Sequence, residues 1–298
     1  MAALEEAQSL KGNVLFHPSM TTPHAYPSFL RAAVCRIVAG SMLLSGVFTA
    51  ICSITAPSTE GQFSCAMATA VNMVAFYHYM KLTAIREQTA TRLTLAKPGD
   101  VPMGQATELK IAWLDMAADA VRYSDWAVTL PGLLIELHLL IPDVDPKFFG
   151  IPWSCVLIVA VVLLGAYTRF GTDELVPIAK TQRNSLADGF ARISGLVAFV
   201  LASVALFLIL YNLLANINDA TDPTNGWIFV FSLSWVAYGV VALIAIVVRQ
   251  FWSDAGYPET LSVFKDCSYG ALDILAKAVF GIYVGCYVLG KTDPVFAL

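Results

Sequence analysis

Charged residues are scarce in this sequence, and their scarcity decides the broad class of protein. Only 13% of the 298 residues are charged, 57% are hydrophobic, and the mean hydropathy is +0.67. Soluble globular domains carry roughly 25% charged residues. The composition therefore excludes a soluble domain and indicates a polytopic membrane protein. The net charge of −4 gives no indication of a nucleic-acid partner.

Paired cysteines and targeting segments are also missing. The six cysteines are scattered, and no two of them have the CxxC spacing of a metal site. We interpret them as small core residues and expect neither a disulfide framework nor a bound metal. Residues 1–28 lack a basic stretch followed by an apolar one, so we expect no cleavable signal peptide.

Long apolar segments are what the sequence has instead. Seven are long enough to cross a hydrocarbon layer of roughly 30 Å, and no internal repeat divides them. We predict an all-α membrane protein, a seven-transmembrane-helix bundle with tails at residues 1–28 and 292–298 and a helical domain at 29–291. The longest connection, 83–110, is expected to cap one end of the bundle. The segments lie at about 29–54, 63–83, 111–140, 149–168, 192–215, 227–248 and 261–289.

The last apolar segment contains Lys277, more than ten residues from either end. An unpaired charge at that depth costs from about 2.5 to more than about 10 kcal/mol. Asp273 lies four residues earlier on the same helical face, so its carboxylate can reach a cation on Lys277. From these residues alone, two interpretations stay open. The pair is either a structural ion pair or a lysine that forms a Schiff base with a carbonyl cofactor.

The third apolar segment is interrupted by ionisable residues on one helical face. Asp125 and Glu136 are eleven residues apart, which is about 16 Å of rise and close to three whole turns. Arg122 lies about one turn before Asp125, and Thr129 one turn after it. Carboxylates stacked at different depths suit a proton relay across a membrane. The alternative is buried polar pairing that only holds helices together. The interrupting residues are Asp115, Asp119, Arg122, Asp125, Glu136 and His138, the last of which is assigned no role.

Four of the segments carry motifs that resemble the microbial (type 1) rhodopsins. Residues 122–131 read RYSDWAVTLP, similar to the family's helix C signature R-Y-x-D-W-x-x-T-x-P. Residues 273–277 read DILAK, similar to its D-x-x-x-K in helix G. Residues 76–80 read FYHYM and 235–238 read WVAY, close to the family's helix B and helix F patterns. The resemblance covers all seven segments and is closest to the proteorhodopsin and xanthorhodopsin-like proton pumps.

The resemblance implies a role for each matched residue. Lys277 would bind all-trans retinal as a protonated Schiff base, with Asp125 as main counterion and proton acceptor and Asp273 as second counterion. Glu136 matches the internal proton donor. Arg122 would balance the two aspartates, His78 would hydrogen-bond Asp125, and Thr129 completes the pump motif. The implied retinal pocket contains Trp126, Pro131, Leu133, Trp235, Tyr238 and Tyr79.

The function implied by the resemblance is a light-driven proton pump, with the proton passed to Asp125 and replaced from Glu136. It would work in the lipid bilayer of a cell membrane, as a homo-oligomer and not as an enzyme. Leu133 occupies the position where leucine accompanies green absorption. A photosensory rhodopsin and a light-gated ion channel use the same chromophore and remain alternatives.

Two features depart from the family pattern. Gly239 replaces the usual proline of helix F and Ala242 an aromatic residue, so we expect a roomier pocket near the retinal ring. Basic residues also concentrate on the N-terminal side of the bundle, which is extracellular in the family. The positive-inside rule would place that side in the cytoplasm, so we consider an inverted insertion.

Overall fold

The chain folds into seven helices in the parts that the computed structural model describes, residues 26–95, 105–140, 151–171, 185–215, 223–251 and 259–290. The predicted all-α, seven-helix bundle is confirmed. The first six helices are α1 Tyr26–Thr55, α2 Thr59–Leu95, α3 Gln105–Leu140, α4 Ile151–Gly171, α5 Ser185–Leu214 and α6 Pro223–Phe251. The seventh, α7, consists of α-helical Glu259–Asp273, π-helical Ile274–Val279 and α-helical Phe280–Gly290.

Five of these helices are long and apolar enough to cross a membrane, namely α1, α4, α5, α6 and α7. The other two, α2 and α3, are less apolar on average because they contain more charged residues. Five of these charged residues point inward, since Arg86, Asp119, Arg122, Asp125 and Glu136 are all buried. Charged side chains in a membrane bundle are tolerated when they face its interior, so both helices can span the bilayer with their apolar sides outward.

The predicted bounds were wrong mainly at the second connection. Helix α2 continues to Leu95 and α3 begins at Gln105, so most of the predicted 83–110 connection is helix. The extension is polar but buries Arg86 and Thr89, and the partners of Arg86, Asp115 and Asp266, come from other helices and cannot be seen in local hydropathy. The predicted cap concerns residues 96–104, which lie outside the described residues, as do 1–25 and 291–298.

Sequential helices pack side by side and close into a ring. Each of α1 to α6 contacts the next helix, α7 returns to contact α1, and its C-terminal half also touches α2. The outer surfaces carry exposed apolar side chains, such as Leu44 and Ile54, as expected for a surface covered by lipid. The ring therefore turns one face of every helix toward a shared interior, where the ionisable side chains lie.

Helix α7 changes its winding at the residue of most interest. The π-helical segment Ile274–Val279 contains Lys277, and its buried residues are Ala276, Lys277 and Ala278. A π-helical turn inserts one residue into the helix and is often found at functional sites. It rotates the residues that follow relative to those before, which sets the directions in which Asp273 and Lys277 project.

Helices α1 and α7 approach closely because α7 has glycine at the contact. A Cβ atom built on Gly285 would lie 2.6 Å from Phe48 Cε1 and 3.0 Å from Cys52 Sγ. Both distances are below normal van der Waals contact, and the aromatic ring is held among other core residues. Gly40 is also helical, but nothing lies within 4 Å of the same built atom.

We expect Gly285→Ala to lower the free energy of unfolding by about 1–3 kcal/mol, because the added methyl overpacks a rigid contact. Gly40→Ala, the matched control, should leave stability unchanged or raise it by up to about 1 kcal/mol, since alanine favours helix. Thermal unfolding in detergent micelles, followed by circular dichroism, measures both. Equal stability of the two variants would contradict the close α1–α7 contact.

Candidate functional site

The centre of the bundle holds Lys277 between two carboxylates. The Lys277 side chain is fully buried, and Nζ donates to Asp125 Oδ2 of α3. Nζ also lies 3.1 Å from Asp273 Oδ1, one turn earlier in α7. The structure therefore brings together the three residues that the sequence motifs singled out. One ammonium group between two carboxylates leaves this buried cluster with a surplus of one negative charge.

Asp273 has donors on both of its carboxylate oxygens. Tyr238 OH donates to Oδ1 at 2.6 Å, and Tyr79 OH donates to Oδ2. With Lys277, three donors from α2, α6 and α7 meet on one carboxylate that is completely buried. Asp273 therefore has the more complete set of hydrogen-bond donors of the two carboxylates beside Lys277.

Asp125 is less well satisfied than Asp273. Its Oδ2 accepts from Lys277, whereas its Oδ1 is buried without a hydrogen-bond partner among the described residues. His78 Nδ1 lies 3.6 Å from this oxygen and 2.8 Å from the Val74 carbonyl oxygen. The carbonyl can only accept, so Nδ1 carries its hydrogen toward Val74. His78 is close enough to Asp125 to act as an electrostatic partner rather than as a hydrogen-bond donor.

Arg122 and Thr129 flank Asp125 along α3. Thr129 Oγ1 donates to the Asp125 backbone oxygen at 2.9 Å and so fixes the local backbone rather than the carboxylate. Arg122 pairs with Asp119 at 3.2 Å and Asp266 at 3.0 Å. Its ion pairs are therefore with Asp119 and Asp266 rather than with Asp125 and Asp273, whose charge the sequence motif predicts it to balance.

Arg122 belongs to a network of ion pairs at one end of the bundle. Asp266 accepts from Arg31 at 2.6 Å and from Arg86 and Arg122 at 3.0 Å each. Asp119 holds Arg122, Arg169 at 2.6 Å and Lys265 at 3.0 Å. Asp115, at the more exposed edge, pairs with Arg31 and Arg86. The ion-pair network comprises Arg31, Arg86, Asp115, Asp119, Arg122, Arg169, Lys265 and Asp266, from α1, α2, α3, α4 and α7.

Glu136 lies apart from both clusters. Its side chain is 1% exposed, and neither carboxylate oxygen has a hydrogen-bond partner among the described residues. Its neighbours along the helix, Leu133, Leu134 and Leu137, belong to the largest apolar cluster. An isolated carboxylate in such surroundings is costly, so an apolar environment favours the neutral acid.

Aromatic side chains surround the Lys277 region. Trp126 packs edge-on against Tyr238 and Tyr269, with ring centroids 5.3 and 5.1 Å apart. Trp235 is buried against Phe231 at 4.8 Å. Of the other predicted pocket residues, Leu133 is fully buried and Pro131 is half-buried inside α3. Tyr79 turns its hydroxyl to Asp273.

These residues fit a retinal. A buried primary amine is available for a carbonyl carbon, two carboxylates can balance a cation at that nitrogen, and flat aromatic side chains suit a polyene. The buried indole nitrogens of Trp126 and Trp235 have no hydrogen-bond partner among the described residues, as expected for walls of an apolar cavity. Lys277 would hold the group, with Trp126, Trp235 and Tyr238 around it.

Sequence reasoning missed several residues of this interior. Tyr269 stacks on Tyr238 at 5.8 Å and carries the Arg122 guanidinium 5.0 Å above its ring. Asp266, Arg31 and Arg86 anchor the ion-pair network. Their signal was available, because charged residues inside helical membrane segments are rare and face the interior. The rarity of such charges in the sequence does not show which of them pair with one another.

A seven-helix membrane bundle with a buried lysine held by two aspartates defines the rhodopsin class of membrane proteins. The chain belongs to the bacteriorhodopsin-like protein family, whose sequence model matches residues 30–289. No curated protein matches it. The likeness therefore extends over nearly the whole chain at the level of family.

Solved structures share the fold at low sequence identity. Thermophilic rhodopsin is 19% identical with a TM-score of 0.61, covering 89% of this chain and 94% of that one. Xanthorhodopsin, described as a light-driven ion pump with dual chromophore, is 19% identical with a TM-score of 0.60, covering 91% and 96%. A proton-pumping rhodopsin from the marine alga Acetabularia acetabulum is 18% identical with a TM-score of 0.56, covering 88% and 95%.

We expect Asp266→Asn to destabilise the bundle by about 3–5 kcal/mol, because three arginines lose a buried anion. Glu87→Gln is the matched control, since it removes the charge from the exposed Arg36–Glu87 pair and should cost less than about 1 kcal/mol. Thermal unfolding in micelles compares the two. Similar losses from both variants would contradict the structural role of the ion-pair network.

Proposed function

We propose that this protein is a light-driven proton pump that uses all-trans retinal bound at Lys277. The proton on the Lys277 nitrogen passes to Asp125 and is replaced from Glu136. When bound, retinal supplies the absorption of light and a change of geometry at that nitrogen. The protein supplies two different carboxylates beside the nitrogen and a third carboxyl group at another depth.

The difference between Asp125 and Asp273 carries this proposal. Asp273 accepts from Tyr79, Tyr238 and Lys277, whereas Asp125 has one buried oxygen without a donor among the described residues. A proton added to either oxygen of Asp273 would compete with a donor that is already bound there. A proton added to Asp125 Oδ1 displaces none. Asp125 is therefore the acceptor, and Asp273 the fixed anion that keeps the nitrogen protonated in the dark.

Glu136 supports net transport rather than a local exchange. It lies on the same face of α3 as Asp125, about 16 Å away by helical rise. Its apolar surroundings favour a protonated carboxyl group, which can give a proton to the Lys277 nitrogen once that nitrogen is empty. Acceptor and donor on opposite sides of the nitrogen give the transfer one direction.

Retinal attachment is tested by colour. With all-trans retinal, the wild-type protein should form a visible, green-absorbing pigment, as Leu133 predicts. Lys277→Ala should form none, since no other described lysine lies in the central cluster. Absorption spectra after adding retinal to purified protein measure both. A Lys277→Ala protein that still forms the same pigment would disprove attachment at this residue.

Transport is tested by illuminating unbuffered cells that contain the pigment, with a protonophore control. Acidification of the medium indicates outward pumping in the family's usual orientation. Alkalinisation indicates inverted insertion or inward transport, and an accessibility label on the N-terminus separates these two. No protonophore-sensitive pH change in a coloured sample would contradict the pump and favour the photosensor.

The two carboxyl roles are separated by variants. Asp125→Asn should abolish the pH change and shift the absorption maximum, because the nitrogen loses its acceptor and one counterion. Glu136→Gln should keep the wild-type colour but slow the return of the proton at least about a hundredfold, in the range of lost general acid catalysis. Flash photolysis measures the rate at which the Lys277 nitrogen regains its proton. A normal return rate in Glu136→Gln would contradict its role as donor.

A further inference from the structure

A second polar contact group lies against the π-helical segment of α7. Asn72 Nδ2 of α2 donates to the Ala68 oxygen at 2.9 Å and lies 3.5 Å from the Lys277 backbone oxygen. Ser45 Oγ of α1 donates to the Ala278 oxygen at 2.8 Å. Neighbouring carbonyl groups of the π-helical segment are thus contacted from two helices.

Gly281 allows this approach. A Cβ atom built there would lie 2.7 Å from Asn72 Nδ2 and 2.9 Å from Ser45 Oγ. Any other residue would push both polar side chains away from α7. The close contact places the Asn72 amide directly beside the backbone of the lysine.

The Asn72 side-chain amide can form more hydrogen bonds than these contacts use. Its side chain is 1% exposed, and Oδ1 has no hydrogen-bond partner among the described residues. A buried amide oxygen is rarely left without a donor. A polar site of this kind is where proteins hold buried water.

Helix α2 shows where this amide lies along the proposed proton path. His78 is beside Asp125, at 3.6 Å, and Cys65 belongs to the same apolar cluster as Leu133 and Leu137, the neighbours of Glu136 in α3. Asn72 is six residues from His78 and seven from Cys65, about 9 and 10 Å along the helix axis. It therefore lies midway between the levels of the proposed acceptor and the proposed donor.

We propose that Asn72 Oδ1 binds a water molecule beside Lys277, and that this water is the last carrier of the proton returning from Glu136 to the Lys277 nitrogen. The water gives one proton to Nζ and receives one from the Glu136 side, so it is regenerated unchanged. Asn72 is then a positioning residue that acts through the water. This inference rests on the proposed pump function.

The test compares three variants of the retinal-loaded protein by flash photolysis. Asn72→Leu removes the acceptor at similar volume and should slow the return of the proton about tenfold or more. Asn72→Ser keeps a hydroxyl and space for water, and should stay within about threefold of wild type. Ser45→Ala, the matched control, loosens the same stretch of α7 without touching Asn72 and should stay within about twofold.

A structural measurement does not depend on transport. A high-resolution crystal structure of the wild type should show water density within hydrogen-bonding distance of Asn72 Oδ1, and its absence would overturn the inference even if Asn72→Leu fails to fold. A wild-type return rate in Asn72→Leu, or equal slowing in Ser45→Ala, would also overturn it. A wild-type pigment in which the Lys277 nitrogen never releases its proton would contradict the proposed pump itself. This outcome is seen in the wild-type measurement, before any variant is compared.

Discussion

A cation buried in the middle of a membrane protein must have anions fixed around it. Lys277 is completely buried, and an ammonium group in that position is stable only if charge and hydrogen bonds are supplied within a few ångströms. Asp125 comes from α3 and Asp273 from α7, and Asp273 is held by tyrosines of α2 and α6. Four of the seven helices are therefore positioned by a single charge.

The ion-pair network likewise surrounds buried charges with opposite charges, at another depth in the bundle. It also bears on membrane orientation. Asp266 and Asp119 gather cations from α1, α2, α3, α4 and α7. Arg31, Arg86, Arg169 and Lys265 all belong to the side whose basic residues suggest inverted insertion. Their charges are turned inward and paired with carboxylates. A count of basic residues thus overstates the positive charge that this side presents to a membrane surface.

The fold and the Asp273–Lys277 pair could be predicted from the sequence because both depend on short-range spacing, whereas the contact of Lys277 with Asp125, 152 residues away, was implied only by the resemblance to the rhodopsin motifs. Seven apolar runs predicted seven helices, and the motifs around Asp125, Asp273 and Lys277 predicted that these side chains meet. Local spacing does not contain the partners of Arg122, since Asp266 is 144 residues away. It also missed the extension of α2, because Arg86 looks like a loop residue until its buried partners are known. The π-helical turn and the unused Asn72 oxygen likewise depend on how α1, α2 and α7 pack.

The three carboxyl groups inside the bundle differ in how many hydrogen-bond donors they have, and the proposed direction of proton transfer rests on this difference. Asp273 has three donors, Asp125 has one on a single oxygen, and Glu136 has none among the described residues. A carboxylate with donors on both oxygens gains less from a proton than one with a free oxygen, whereas a carboxyl group in apolar surroundings without a donor favours the acid. In the proposed pump, a proton leaving the Lys277 nitrogen therefore has its acceptor in Asp125, and the proton that replaces it comes from Glu136. The proposed direction of transfer depends on this unequal supply of hydrogen bonds to the carboxyl groups of α3 and α7, which the packing of four helices imposes.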